Sequence, residues 1–529
     1  MYNHHHLLRF GAIGVGVGAL VLLAPVRADQ LDDLMRQLKA KGILNKQEYS
    51  TLSKQRAAAA PTPAGQAEVV DALMRQLQAK GILSQQEYAK LSTPAAAPVA
   101  VASSQAAPVA EPAAASSHPE PDQAAAAPTG PFVRMMDKGV GLRVGSVDIL
   151  FSGGINAFYV QNQVGDRDAN NVVLGGIANI DGQDSASIRN GLLPGNFSVS
   201  LKTQQEGFDL GATFGFYPGL NSVNNNGGAN SAGNPSALGT TGIDFRQQFI
   251  TVGTPSMGTF KGGRDIGLFG SQAILNDFSL VSVGTPGSNV APSNTTFGRI
   301  GLGYVYTDFI PQITYTSPSF NGLQASIGVF TPLDAVNFSS VSGQLTSHDQ
   351  PGVQGQLVYG ADLGSTKTKL WASFVTQKLE SANNTQALPE GQSVQASGFD
   401  LGTNIGLGPA NLVLYGYTGR ALGSTGLFFD AVSEDGQARD SHGFYVQGTY
   451  QFLERFTAGL SYGASYLDQA SGEDNPLLVK QNSSWLFGLH YKLTDWVQLA
   501  GEYTYTKSEA QNGNSADENT FAVGASLFF

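Results

Sequence analysis

The sequence has no cysteine, and beyond its first residues it has no apolar run long enough for a transmembrane helix, which needs about 18 residues. The second absence excludes helical membrane spans, and the first excludes disulfide and thiol chemistry. Charged residues make up only 13% of the chain, and the net charge is −11. This acidity argues against nucleic-acid partners, because the phosphate backbone selects basic surfaces.

Motifs of enzymes and metal sites are also missing from the sequence. The histidines form neither a Cys/His set nor a His-x-x-Glu-His motif, and no Gly-x-Ser-x-Gly turn occurs. Gly14, Gly16 and Gly18 follow no strand and open no βαβ unit, so they do not form a nucleotide-binding loop. We therefore expect no enzyme activity, no cofactor and no resident metal ion.

Residues 1–28 have the features of a secretory signal peptide. Arg9 precedes an apolar stretch from Phe10 to Ala24, and Val26 and Ala28 occupy the −3 and −1 positions of a cleavage site. The stretch is too short and too rich in glycine for a stable membrane span. We expect the segment to direct export and then to be removed.

From Phe132 to Phe529, apolar and polar residues alternate over one segment after another. In one example Trp485, Phe487 and Leu489 are separated by small or polar residues. Such alternation, with aromatic residues near the segment ends, is typical of a transmembrane β-barrel that turns one face to lipid and the other to water. The sequence therefore predicts an all-β fold, an antiparallel transmembrane β-barrel over residues 132–529.

Sixteen segments fit this pattern, and short and long gaps alternate between them. The sixth segment is long enough to contain an additional turn, so eighteen strands also fit. An even number places both ends of the barrel on the periplasmic side. The predicted strands lie near residues 148–162, 193–203, 207–217, 243–253, 258–264, 298–315, 322–330, 352–360, 366–378, 397–406, 410–420, 442–451, 456–466, 483–492, 496–507 and 519–529.

The last predicted strand alternates up to Phe529. A soluble protein gains little from ending on such a strand, because it would expose an apolar edge. In a barrel the same strand closes against the first one. Gly524, Leu527 and Phe529 resemble the C-terminal insertion signal of bacterial outer-membrane proteins, whereas Ala522 departs from it. We therefore predict that these three residues direct barrel assembly.

Two copies of a short unit lie between the signal peptide and the barrel. Residues 32–53 recur at 71–92 with 16 of 22 positions identical. Gly42 and Gly81 occupy helix-terminating positions, and capping-box sequences follow them. Each unit is predicted to be a helical hairpin too small to bury a core alone, so it must pack on its copy, on another subunit or on a partner. A solvated tether is the alternative interpretation.

Residues 93–131 consist almost wholly of Ala, Pro, Ser and Val. This composition cannot bury enough apolar surface to fold, and it predicts a disordered, semi-extended linker. We expect the whole segment 29–131, with the repeats in 29–92, to lie in the periplasm.

Three stretches of the barrel region resemble the trimeric general-porin superfamily of Gram-negative bacteria. They are Asp244–Gly253, Met257–Asp265 and Tyr315–Leu323, and their order and spacing match that superfamily. The resemblance implies a homotrimeric diffusion channel in the outer membrane. The repeats make the chain similar to porins with an N-terminal oligomerising extension.

The resemblance further implies that the long segment from Asp265 to Thr296 folds into the lumen and narrows it. A sixteen-stranded barrel would otherwise be wide enough to leak nutrients indiscriminately. Carried over by position, Arg246 and Arg264 would form the basic wall of this constriction. Lys202 is a further member by alternation, because its strand turns Phe197, Val199 and Leu201 to the lipid side. Opposed charges across such a gap orient polar solutes.

The acids that would face this basic wall are Asp277 on the loop and, as a second candidate, Asp265. The acidic loop motif of general porins is not clearly present, which leaves the substrate preference open. Two acidic pairs in outer loops, 166/168 and 181/184, lack the ligand spacing of a calcium loop. We expect them to be solvated and to bridge divalent cations with lipopolysaccharide.

Two functions from different classes follow from these observations. The leading hypothesis is a passive diffusion channel for small hydrophilic solutes or ions, with a lean toward anionic solutes set by the arginines at the narrowest point. The alternative is a structural or adhesive barrel that its repeats tether to peptidoglycan or to an envelope partner.

Overall fold

The computed structural model describes residues 51, 133–136, 139–165, 171–178, 180–221, 243–290, 293–382 and 389–529. The predicted signal peptide, the two repeats and the linker lie almost entirely outside these residues, as does the acidic pair at 166 and 168. No helix of the described residues is both long enough and apolar enough to cross a membrane.

Nineteen strands and two short helices make up the described part of the chain. The strands are β1 (Val133–Met135), β2 (Val140–Val144), β3 (Val147–Val164), β4 (Ser185–Arg189), β5 (Asn196–Gln205), β6 (Phe208–Pro218), β7 (Ile243–Thr254), β8 (Gly258–Ile266), β9 (Phe309–Thr316), β10 (Leu323–Phe330), β11 (Gly352–Leu363), β12 (Thr366–Glu380), β13 (Ser393–Leu407), β14 (Ala410–Arg420), β15 (Asp440–Leu453), β16 (Phe456–Leu467), β17 (Val479–Lys492), β18 (Val497–Ala510) and β19 (Ser515–Phe528). The helices are α1 (Ser271–Leu275) and a 3₁₀ helix (Phe278–Val281).

Sixteen of these strands form one closed antiparallel barrel, as the alternation predicted. Each strand from β5 to β19 pairs with the next, and β3 closes the ring by pairing with β19 on one edge and β5 on the other. The two strands β1 and β2 form an additional hairpin, in which β2 pairs with residues 147–151 of β3. The short β4 pairs with residues 158–162 of β3.

Connections at the two ends of the barrel differ in length. At one end, here called the turn end, neighbouring strands are joined by a few residues, as between β5 and β6 or β17 and β18. At the other end, the loop end, the connections include residues 267–308, here called the inserted loop. This arrangement positions all long connections around one mouth of the barrel.

The two faces of each strand differ in the way the alternation predicted. On β17, Trp485 and Phe487 are more than half exposed on the outer face, whereas Ser484 and His490 are buried on the inner face. Outward aromatic and aliphatic residues require lipid contact, and inward polar residues require water or other polar groups. The barrel therefore has an apolar exterior and a polar interior.

The sixth strand of the barrel is shorter than predicted. It begins at Phe309 rather than at residue 298, because residues 298–308 belong to the inserted loop. Gly298 and Gly301 have φ angles of 58° and 73°, which an extended strand does not adopt. The apolar alternation of this segment reflects burial inside the barrel, since Leu302 and Tyr304 are fully buried.

An apolar core lies inside the barrel near the loop end. The inserted loop contributes Phe269 and Ile274, and the inner wall contributes Trp371 and Tyr415. Leu427 joins them from the loop that follows β14. The loops are therefore packed elements of the barrel interior, which fixes the position of the inserted loop.

Candidate functional site

The inserted loop enters the lumen at α1, which the inner wall holds from the two strands β11 and β13. The αL conformation of Gly270 lets the chain turn into the helix, and its N–H donates to Asp400 on β13 at 2.9 Å. On the two sides of the helix, Gln272 donates to Gln356 on β11 at 3.3 Å, and Asn276 accepts from Asn404 on β13 at 2.7 Å. These amide contacts fix the start of the loop against the wall.

The second attachment is at the 3₁₀ helix, where the inner wall carries glycines. The N–H of Phe278 donates to Gln447 on β15 at 2.8 Å, and its ring stacks on His490 at 4.0 Å. A Cβ at Gly459 or Gly488 would lie 2.7 or 2.4 Å from the Phe278 ring. Only glycine leaves room for this ring, so the wall and the loop are shaped for each other.

The third attachment is a buried carboxylate on β18. Glu502 accepts from the backbone N–H groups of Val283 at 3.0 Å and Gly284 at 2.9 Å, and from the hydroxyl of Ser282. Charge-assisted hydrogen bonds of this kind are stronger than neutral ones. Ser526 on β19 adds a bond to the carbonyl of Val281 at 3.1 Å.

The far end of the loop is held by the connection between β3 and β5. The guanidinium of Arg189 on β4 donates to the carbonyl of Thr295 at 2.8 Å, and burial lowers the pKa of Arg189 to about 10. Asp181 accepts from the N–H groups of Asn289 at 2.6 Å and Val290 at 2.9 Å. Asp181, which we expected to be solvated, is therefore a structural anchor.

Arg246, predicted in the basic wall, lies at the root of the inserted loop. Its side chain is 8% exposed, donates to Asp244 at 2.7 Å and lies 5.2 Å from the Tyr217 ring centre and 5.7 Å from that of Phe309. The Asp244 carboxylate compensates its charge.

Arg264, the second predicted member of the basic wall, is on the outer face of the barrel. In the register of the sheet it is opposite Gln248 and Pro311, in the row of Ile250 and Ile313, which are 59% and 65% exposed. The prediction that Arg264 faces the lumen was therefore wrong. Phe260 faces outward, and Arg264 is four positions further along the same strand, so alternation places Arg264 on the outer face as well. The prediction of a lumen-facing Arg264 came from the resemblance and not from this alternation.

Lys261 occupies the lumen position that we had assigned to Arg264. It donates to Asp265 at 2.6 Å, and Gln247 donates to the same carboxylate at 2.9 Å. Asp265 is thus a residue of the wall on β8, paired with a lysine, and not an acid of the loop. The signal was in the sequence, because residues 261 and 265 are an even number of positions apart on one strand.

Lys202, the last basic residue predicted, is on the lumen-facing side of β5. It is opposite Asp148 and Gly211 in the sheet, in the row of Ser200, whose hydroxyl lies 3.0 Å from that of Thr213. Lys202 is exposed and near the turn end.

Asp277, predicted as the acid of the loop, is buried inside the loop. Its carboxylate accepts from the N–H of Ser279 at 2.9 Å and from the hydroxyl of Tyr304 at 2.9 Å. Burial raises the pKa of Asp277, and Arg299 opposes this effect; burial also lowers the pKa of Arg299. The five predicted charges therefore do not meet across a gap, and each lies in a different setting.

Sequence reasoning missed Lys369 on β12. In the register it is opposite Asn404, which binds the inserted loop, and its side chain is half-buried. It shares the inner face with the buried Trp371 and Ser373. Alternation with the outward Leu370 could have identified it.

Among the described residues, no group of three or more histidine, aspartate or glutamate side chains could hold a metal ion. The arrangement is a wide barrel with a polar interior and a loop fixed inside it. Its chemical capability is the passage of solutes past the loop.

Comparisons with known proteins agree with this architecture. The family model of the Gram-negative porin matches residues 95–526. The outer-membrane channel DcaP of Acinetobacter baumannii is similar with a TM-score of 0.51 and 16% identity, over 73% of this chain and 98% of that one, which supports the barrel fold. No protein of curated function matches the sequence.

Two further solved structures are similar at lower scores. OmpT of Vibrio cholerae has a TM-score of 0.44 and 14% identity, over 74% of this chain and 100% of that one. OmpF of Salmonella typhi, in complex with daunomycin, has a TM-score of 0.44 and 12% identity, over 73% and 98%.

The family match extends over well more than half of the chain and includes the barrel up to the last two residues of β19. Family and fold point to a channel rather than to an enzyme. The chain therefore belongs to the Gram-negative porin family, and it is a passive channel of the outer membrane.

Proposed function

We propose that solutes pass through the lumen beside the inserted loop, and that this passage weakly prefers small anions. The observation that carries the proposal is the setting of Lys369. It faces the lumen beside the loop, and it forms no ion pair among the residues that the structure describes.

Other charges near the loop support a positive local balance. Arg246 is compensated by Asp244, and Lys261 is paired with Asp265. Asp277 is buried within the loop, 5% exposed, so it does not face the passage. Lys369 is therefore the charge that a solute meets beside the loop.

The net charge of −11 points the other way. Acids in the outer loops act on a permeating ion through water and salt, which screen charges beyond about 8–10 Å. The charge at the narrowest point dominates permeation, so we expect Lys369 to outweigh the distant acids. The sequence analysis predicts the same preference for anions, but it assigns the preference to Arg246 and Arg264 instead of Lys369.

The test replaces Lys369 by glutamine and measures the reversal potential in a planar bilayer under a salt gradient. We expect the preference for chloride over potassium to fall about twofold, as removal of one nearby charge predicts. Lys378→Gln is the matched control, because Lys378 is on the same strand but is paired with Asp349. An unchanged reversal potential in Lys369→Gln would contradict the proposal.

We further propose that the chain is a homotrimer and that the repeats at 32–53 and 71–92 reinforce this assembly in the periplasm. Family membership and the duplication support this proposal. Native mass spectrometry of the full chain and of a chain lacking residues 29–131 tests it. We expect a trimer for the full chain, a weaker one for the shortened chain and full conductance for both; a monomeric full chain would contradict it.

A further inference from the structure

The side of the inserted loop that faces the lumen is uncharged. The loop contains only three charged residues, Asp277, Arg299 and Asp308. Asp277 and Arg299 are 5% and 0% exposed, and Asp308 lies at the end of the loop, where it is half-buried. A solute that passes the loop therefore meets neutral groups on this side.

Leu275 is the most exposed large apolar residue of α1 and is 53% exposed. Two residues correspond to a rotation of about 200° around a helix, so Leu275 is opposite Ala273. Ala273 is fully buried, and its carbonyl accepts from Tyr445 on the inner wall at 2.9 Å. Leu275 therefore points away from the wall and into the lumen.

The neighbours of Leu275 on the helix are tied to the wall on both sides. Gln272 contacts Gln356 on β11, and Asn276 contacts Asn404 on β13. These contacts are made to inward-facing residues, so α1 lies inside the barrel. Lipid cannot reach this position, and the neighbours left for the Leu275 side chain are water and whatever solute passes.

We propose that Leu275 forms an apolar lip at the constriction and favours small solutes that carry an apolar side chain or ring together with a polar group. Transfer of apolar surface from water to the lip is favourable, and the polar part of the solute stays hydrated in the lumen. The inference deepens the channel function and rests on the proposed path of solutes past the loop.

Proteoliposome swelling with leucine and with glutamine tests the lip. Both solutes are zwitterions of similar size without net charge, so the comparison isolates apolar character from charge. We expect the leucine-to-glutamine flux ratio of the unmodified channel to fall about threefold in Leu275→Asn, because the apolar contact is lost. Leu275→Met, which keeps an apolar side chain, is the matched control and should keep the ratio.

Equal ratios in the unmodified channel and in a conducting Leu275→Asn variant would overturn the proposal. Potassium chloride conductance, measured on the same preparations, shows that the variants have assembled. The anion preference is judged separately by the reversal potential of Lys369→Gln, so failure of one proposal is distinguishable from failure of the other.

Discussion

The inner wall of the barrel has two regions that differ in the burial and the partners of their inward-facing residues. Along β13–β19 the inward positions are buried anchors for the inserted loop, such as Asp400, Gln447 and Glu502. Along β5–β8 several inward positions are polar residues or lysines that remain partly exposed, such as Thr213 and Lys261. The first region binds the loop, and the second is left to water and solutes.

The difference between the two regions is visible in the residues and not only in the topology. Where the loop is bound, glycines leave space for a loop side chain, as Gly459 and Gly488 do for Phe278. Where the wall is open, side chains of Ser, Thr and Lys occupy the corresponding face. A barrel with uniform alternation therefore obtains an asymmetric interior from the choice of its inward residues.

The largest expected effect concerns the pairing of β19 with β3, which closes the barrel. The backbone N–H of Phe529 donates to Gly153 at 3.0 Å, Gly153 donates back at 3.1 Å, and the Phe529 ring lies 5.8 Å from that of Trp496. Phe529→Asp places a charge at the lipid interface and should strongly reduce assembled protein.

Heat-modifiable mobility of the outer-membrane fraction measures this loss of assembly. Phe529→Tyr, which keeps an interfacial aromatic ring, is the control and should assemble normally. Unchanged amounts of folded Phe529→Asp would show that the terminal residue does not direct closure.

A smaller effect is expected when the loop is pushed off its wall. Gly488→Val places atoms where the Phe278 ring lies, since even a Cβ would be 2.4 Å away. We expect the displaced loop to widen the passage and to raise single-channel conductance about 1.5- to 2-fold. Gly448→Val is the control, because a Cβ at Gly448 meets no atom within 4 Å. A conductance equal to that of the control would be evidence against a fit between ring and glycine.

The buried Asp277 predicts a pH dependence of loop packing. Burial raises its pKa above the value of a free carboxyl, so the packed loop binds the proton more tightly than a released loop does. The contribution to packing is present at low pH and is lost as the pH rises through the raised pKa. We therefore expect fewer loop openings, seen as lower current noise, as the pH falls from about 7 toward 4.

Asp277→Asn imitates the protonated side chain and should remove this dependence. Its current noise should match that of the unmodified channel at low pH throughout the range. More openings on acidification, with the same trend in the asparagine variant, would assign the pH effect to other groups.

The smallest expected effect separates the inner wall from the outer face. Arg264→Ala should leave the reversal potential unchanged, because its side chain is in the outward row of Ile313. Planar-bilayer recordings beside Lys369→Gln provide the comparison. A shift of the reversal potential in Arg264→Ala as large as that in Lys369→Gln would show that Arg264 lines the pore, as the sequence predicts.

Alternation along the strands was sufficient to predict the sixteen strands of the barrel. It failed at residues 298–308, where apolar residues alternate although they face a packed interior and not lipid. Periodicity reports burial and does not distinguish lipid from protein as the burying environment. Glycines at 298 and 301 with positive φ were the local sign of a loop.

The candidate site was less predictable than the fold, because its positions depend on contacts between distant segments. Arg264 was misplaced because a resemblance outweighed the alternation from Phe260. The burial of Asp277 depends on Tyr304, which is 27 residues away, and the role of Glu502 depends on a loop more than 200 residues earlier. The spacing of residues along the chain does not predict contacts between such distant segments.

The central claim is that the inserted loop is fixed inside the barrel on the β13–β19 wall and sets the width of the pore. The chain has no cysteine, so Asn276→Cys combined with Asn404→Cys introduces one defined pair where two side chains meet at 2.7 Å. The most direct test is single-channel conductance of this double variant before and after oxidation. We predict that the disulfide forms readily and that the conductance stays the same, because the loop is already in place. Failure of the disulfide to form, or a clear fall in conductance when it does, would contradict the account.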